Sequence, residues 1–259
     1  MSVLAADIGN SHTTLGLVRG GEVTHHWSVS TDARRTADEW WVLLRGLLGR
    51  AAEEVDGFAV CATVPAVLQQ WRLMGERHAG GLPHVVVEPG LRTGLSVLTD
   101  NPREVGSDRI VNALAAATLH SSPAIVVDFG GTATTFDVVN ARGQYVGGAI
   151  APGLEISLDA LGRRGAQLRH VELARPRTAI AKNTVEALQS GMVFGMAAQV
   201  DGLVERMIDE LGVAEDEVAV IATGYLAPLV YSECRAFTVH APWLTLQGLE
   251  LVFRRNAER

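Results

Sequence analysis

Two acids, each followed two residues on by glycine and then by hydroxyl side chains, are the residues of this chain best suited to chemistry. They stand in Asp7-Ile8-Gly9-Asn10-Ser11-His12-Thr13-Thr14 and in Asp128-Phe129-Gly130-Gly131-Thr132-Ala133-Thr134-Thr135. Glycine at that place lets the backbone turn, so main-chain N–H groups and the hydroxyls of Ser11, Thr13, Thr132 or Thr134 can gather round an anion. The carboxylates of Asp7 and Asp128 would then face the metal that accompanies phosphate. One Asp-x-Gly turn is commonplace. Two in register, each ending in Thr-Thr, mark a duplicated phosphate-handling hairpin.

A second constellation, Asn101-Pro102-Arg103-Glu104-Val105-Gly106-Ser107-Asp108-Arg109-Ile110, puts an acid and an arginine at the expected start of a helix, where N–H groups lacking helical partners favour anions. An ionised Asp108 could orient an alcohol and accept its proton late in phosphoryl transfer, while positioning and charge neutralisation supply most of the rate. Arg109 offers a planar fork of donors for a carboxylate or phosphate. A helix-terminal acid beside a solvated arginine is the plainer explanation of the same pair. Gly147-Gly148-Ala149-Ile150-Ala151-Pro152-Gly153 is a glycine-rich strand end that suits close approach of a ligand or of a facing strand. Thr184, opening the run Asn183 to Gly191, is placed to cap a helix or to donate to a ligand. The eight histidines show no zinc-binding spacing and no serine lies in a nucleophile elbow, which disfavours zinc and serine-hydrolase chemistry.

These residues need elements to hold them. Val3 to Ala6 and Ile125 to Val127 enter the two acid turns as strands, and Leu15 to Val18 and Phe136 to Val139 leave them. Glu22 to Ser28 is a third strand. Thr31-Asp32-Ala33 caps a helix from about Arg35 to Arg50, with an apolar stripe of Trp41, Leu44, Leu47 and Leu48 that belongs to the core. Phe58 to Cys61 is a buried strand, Val64-Pro65 opens a helix to about His78, and His84 to Val87 is another strand. Arg109 to His120 is helical, and Pro123 separates it from the second acid turn. In the second half, Gln144 to Ile150 repeats the third strand, and Leu154 to about Gly162 and Thr184 to about Leu211 are helices. Val218 to Ala222 is a strand ending in a Thr223-Gly224 turn, and Leu244 to Arg255 closes the chain as a helix. Strand and helix alternate as in βαβ units, with the halves divided as residues 1–115 and 116–259.

A chain of 259 residues with 47% hydrophobic content and 27 glycines suits a folded α/β protein rather than a disordered one. Its net charge of −7, with the basic residues scattered, argues against a broad nucleic-acid surface. Two cysteines, Cys61 and Cys234, make neither a disulfide framework nor a thiolate metal site. No basic leader with a cleavage site is visible, and no apolar stretch reaches the roughly 18 to 20 residues that a membrane span requires. The expectation is a cytoplasmic protein with no nucleic-acid or membrane partner.

The duplicated acid hairpin resembles that of the acetate and sugar kinase, Hsp70 and actin superfamily, whose two related lobes close on a nucleotide. Along nearly the whole chain, Asp7 to Ser11, Thr36 to Glu39, Asn101 to Arg109, Asp128 to Asp137, Gly147 to Gly153, Ile156 to Leu161, Asn183 to Gly191, Ile221 to Gly224 and Leu244 to Leu246 resemble type III pantothenate kinase. The resemblance implies an α/β fold of two actin-like, ribonuclease H-like lobes, each a mixed sheet with flanking helices. It implies transfer of the γ-phosphate of ATP to the primary alcohol of pantothenate, the first step of coenzyme A synthesis. Magnesium, a monovalent cation (potassium or ammonium) and a homodimer with the active site at the subunit interface are implied with it.

Carried over residue by residue, the resemblance makes Asp108 the catalytic base. Thr99, Gly106, Ser107, Asp108, Arg109 and Thr184 would meet pantothenate, Thr184 from the neighbouring subunit. Asp7, Ile8, Gly9, Asn10, Ser11, His12, Thr13, Thr14, Gly131 and Thr132 would meet ATP. Asp128 would hold the monovalent cation and Asp7 the magnesium. Some residues depart from the pattern. Gly131 is additional where the family reads Asp-Phe-Gly-Thr-Ala-Thr-Thr, and Tyr225 follows Thr223-Gly224 where the family has a second glycine. Ala181 replaces a glycine, Gln247 an acid, and Thr99 a tyrosine. The first two suggest an alternative function, a non-catalytic paralogue that binds a ligand or a partner protein, and a kinase of the superfamily acting on a different small alcohol is a further one.

Overall fold

The computed structural model describes residues 1–164 and 171–257. They fall into two compact units, one of Met1–Leu95, Asp100–Ala115 and Trp243–Arg259, the other of Ser96–Thr99 and Ala116–Pro242.

The first unit is built on a five-stranded sheet. β1 (Ser2–Ile8), β2 (His12–Arg19) and β3 (Glu22–Ser30) form an antiparallel meander. β4 (Gly57–Ala62) and β5 (His84–Val86) continue the sheet in parallel on the other side of β1, giving the order β3-β2-β1-β4-β5. Val3 to Ala6 of β1 is an unbroken apolar run because both faces of the strand are covered. Leu4, Ala6 and Ile8 share a core with Trp40 and Leu44 of α1 (Ala37–Leu48) and with Val67, Trp71 and Met74 of α2 (Pro65–His78). Val3 and Ala5, out of phase by one residue, pack instead with Val111 and Leu114 of α3 (Ser107–Leu119) and with Leu249, Val252 and Phe253 of the closing helix α7 (Leu244–Ala257).

Two local devices differ from the sequence reading. Helix α1 is capped by Thr36, whose hydroxyl accepts from Glu39 N while the Glu39 carboxylate accepts from Thr36 N at 2.7 Å. The reciprocal box needs an acid three residues into the helix, which Thr36 has. Asp32 turns instead onto Arg34 N, at 2.9 Å. The closing helix, allotted to the second half from the sequence, lies in the first unit. A methyl carbon added to Gly57 would collide with the Phe253 ring, so α7 sits directly on β4. Its buried Glu250 accepts from Gly20 N at 2.8 Å and Gly21 N at 2.6 Å, which fastens the β2–β3 turn, where both glycines have positive φ.

The second unit repeats the first strand for strand. β6 (Ala124–Phe129), β7 (Ala133–Val139) and β8 (Tyr145–Pro152) form the antiparallel meander, and β9 (Ala219–Thr223) and β10 (Val239–His240) the parallel wing, in the order β10-β9-β6-β7-β8. Even the irregularity recurs: the register shifts between Leu17 and Val18 in β2 and between Val138 and Val139 in β7. Ile125, Val127 and Phe129 pack with Leu154 of α4 (Leu154–Arg164), Val200 and Val204 of α5 (Thr184–Leu211), and Ala227 and Val230 of α6 (Ala227–Val230). No helix among the described residues is long and apolar enough to cross a membrane.

Candidate active site

In the first unit, Asp7 lies opposite Thr14 across the β1–β2 hairpin and beside Cys61 of β4, whose thiol reaches Asp7 Oδ1 at 3.3 Å. The loop Gly9-Asn10-Ser11 is closed by Gly9 N donating to His12 O at 3.0 Å, with Asn10 and Ser11 exposed at its tip. Ile8 is core, and His12 and Thr14 are half-buried. Thr13 turns inward: its side chain is 0% exposed and its hydroxyl meets that of Thr31 at 2.9 Å.

Asp108 lies in the first turn of α3, after Gly106, whose carbonyl accepts from Ile110 N at 3.1 Å, and Ser107, the first helical residue. Its Oδ1 is buried and has no hydrogen-bond partner. A methyl carbon on Gly106 would lie 2.5 Å from that oxygen, so glycine is what lets the carboxyl fold back over the helix start. Burial pushes the Asp108 carboxyl above the usual carboxylate range, against the pull of the Arg109 and Asp108 backbone amides and of the Arg109 charge. This differs from the ordinary ionised acid that the sequence suggests.

In the second unit the hairpin recurs in the same register, Asp128 opposite Thr135 as Asp7 is opposite Thr14. With Gly131 present the loop Gly130-Gly131-Thr132 has the same number of residues as Gly9-Asn10-Ser11. Thr134 repeats Thr13 in pointing inward, and its buried hydroxyl has no hydrogen-bond partner. Asp128 also pairs in register with Thr223 of β9, and the next residue, Gly224, has φ +89°. A methyl carbon there would lie 2.5 Å from Asp128 Oδ1 and 2.7 Å from Phe129 N, so the turn after β9 closes on the acid only as glycine. The loop carbonyls run into the start of α4: Gly153 N donates to Thr132 O at 2.9 Å and Ile156 N to Gly131 O at 3.3 Å. Gly131 is buried and Thr132 exposed.

Thr99 is half-buried, with a covered hydroxyl that no hydrogen bond satisfies. At the start of α5 the cap is Asn183, whose Oδ1 accepts from Glu186 N at 2.9 Å, so the exposed Thr184 hydroxyl is not spent on capping. Sequence reasoning missed Glu155, which accepts a hydrogen bond from the Tyr225 hydroxyl beside Gly131. The signal for it was Gly131 itself, since a glycine in a buried loop implies that something occupies the place of its side chain.

Among the described residues no group of three or more His, Cys, Asp and Glu side chains could hold a metal. Asp7 and Asp128 each offer one carboxylate at the end of a strand. That donor set fits a magnesium ion bound mainly by phosphate oxygens and water, and a cation near Asp128 whose remaining ligands are backbone or solvent oxygens.

Two sheets of identical strand order, each opening on an acid hairpin, define an actin-like kinase fold. A Baf-family protein of Campylobacter jejuni shares it over 99% of this chain and 100% of its own, at 16% identity and TM-score 0.61. The ROK hexokinase of Thermus thermophilus shares it over 100% and 99%, at 16% identity and TM-score 0.54. The sequence is more specific. Residues 3–206 match the family model of type III pantothenate kinase, and the type III pantothenate kinase of a Nocardioides species is 73% identical over 99% of this chain and 100% of its own length. The chain belongs to the type III pantothenate kinase family, whose members are ATP-dependent phosphotransferases of coenzyme A biosynthesis.

Proposed function

We propose that in the phosphorylation of pantothenate by ATP, Asp108 orients the primary hydroxyl and takes its proton as the γ-phosphoryl group arrives. The observation that carries this is the Asp108 carboxyl at the start of α3, seated against Gly106 and held by the Arg109 and Asp108 backbone amides, where burial still raises its pKa. A carboxyl pushed above its ordinary pKa is also a stronger base once ionised, which suits a group that takes a proton late. Thr99, Gly106, Ser107 and Arg109 hold the remainder of pantothenate, Arg109 through its fork of donors.

The hairpin loops hold ATP. Asp7, Gly9, Asn10, Ser11, His12 and Thr14 surround one part of the phosphate chain with Ile8 and Thr13 supporting from the core, and Gly131 and Thr132 supply backbone and hydroxyl donors to another. Magnesium near Asp7 neutralises charge on the phosphates, and potassium or ammonium near Asp128 does the same at the second hairpin. The protein acts as a homodimer in which the exposed Thr184 reaches pantothenate bound by the neighbouring subunit. Cys61 and Cys234, neither of them in a disulfide, suit the reducing cytoplasm.

The test is ADP release by the purified protein with ATP, magnesium and either potassium or ammonium, with and without pantothenate, beside an Asp108→Asn variant. Pantothenate-dependent release that is lost in the variant is the expected result. Unchanged turnover in Asp108→Asn would remove that residue from the mechanism.

A further inference from the structure

The two principal departures of this chain from its family pattern, Gly131 and Tyr225, meet at one point. A methyl carbon added to Gly131 would collide with Tyr225 Oη and lie 2.5 Å from Glu155 Oε2. The hydroxyl and the carboxylate are hydrogen-bonded to each other, so together they fill the space that any side chain at 131 would need. The same loop is gripped through its backbone. Ile156 N, next to Glu155, donates to Gly131 O at 3.3 Å, and Leu226 N, next to Tyr225, donates to Phe129 O at 3.4 Å. At the equivalent place in the first hairpin Asn10 is exposed, so the cover is particular to the second.

We infer that Tyr225 and Glu155 are positioning residues that clamp the Gly130-Gly131-Thr132 loop in its phosphate-binding shape. This rests on the reading of that loop as part of the ATP site. Two successive glycines leave the loop with little conformational preference of its own, so its shape has to be imposed from outside. The clamp imposes it from both ends, α4 through Glu155 and the β9–α6 turn through Tyr225. Burial first, and then the neighbouring Glu155, push the Tyr225 hydroxyl well above its ordinary pKa, so it keeps its proton and goes on donating throughout the working pH range.

A double-mutant cycle tests this. Tyr225→Phe deletes only the hydroxyl. Gly131→Ala can be accommodated if the two side-chain ends swing aside, which parts them. Both variants therefore break the same contact, and both are expected to raise KM for ATP about tenfold, as coupled neighbours do, while KM for pantothenate changes less than about twofold. The double variant is expected to be no worse than either single one. Calorimetric ATP binding should weaken in parallel and melting temperatures should hold. Multiplying effects, equal rises in both KM values, or unchanged ATP affinity would each overturn the clamp. ADP release by the unaltered protein that does not depend on pantothenate would instead strike the function on which the clamp rests.

Discussion

Burial at Asp108 outweighs the amides and the arginine that favour its charge. Because burial raises its pKa in the folded chain above the unfolded value, its protonated form favours the fold at low pH. That contribution is lost as pH rises through the folded pKa, so near neutrality the ionised group burdens the structure. Asp108→Asn should therefore melt no lower than the parent at pH 7, and its advantage should grow from about pH 4, near the ordinary carboxylate pKa, towards neutrality. The same variant should lose on the order of 10²- to 10⁴-fold in kcat, the usual worth of a positioned base. The acid limb of kcat/KM should sit above the ordinary carboxylate range in the parent protein. An Asn variant less stable at every pH, or a parent acid limb at the ordinary value, would show that the carboxyl is not buried as described. The sequence shows Asp108, its arginine and the glycine before them, yet not this burial, because a residue pattern does not state how much solvent reaches a side chain.

At the scale of elements, most of the site's scaffold can be read from the chain. Apolar runs on either side of Asp7 and Asp128 announce strands buried on both faces, and the structure repeats the hairpin down to its register shift. What escapes is polar chemistry inside apolar helices. Glu250 of α7 drew no notice in the sequence, yet it is 1% exposed and accepts from two backbone amides and from Arg254 at 2.8 Å. Deleting it would leave Gly20 N and Gly21 N without that acceptor. Glu250→Ala is expected to cost roughly 2–4 kcal/mol of stability, seen in urea as a lower midpoint at constant slope. A midpoint shift worth less than about 0.5 kcal/mol once multiplied by the slope, the range of ordinary surface changes, would mean that the turn holds without it.

The whole molecule was harder to divide from sequence than its parts. Cutting the chain after Ala115 follows the duplication, but α7 returns to the first sheet because Gly57 and the Gly20-Gly21 turn receive Phe253 and Glu250, partners far removed in sequence. The second unit carries a different clue to assembly. β8 is the last strand of its sheet, bridged at its Tyr145 end by Val97, and exposed apolar side chains further along such an edge invite pairing. Ile150 on β8 is 66% exposed, and Ile180, shortly before Thr184, is 87% exposed. Exposed apolar side chains on the unit that also carries Thr184 are what a self-complementary dimer face requires. Ile150→Asp and Ile180→Asp should weaken self-association by about 10²-fold, the loss typical of a central contact, and should lower activity in proportion to the monomer fraction. Val42 on α1 is 71% exposed but lies in the first unit, so Val42→Asp serves as the control that should do neither. Sedimentation across a concentration series decides it. A parent protein that sediments as a monomer while fully active would remove Thr184 from the pantothenate site, because its hydroxyl would have no neighbouring subunit to serve.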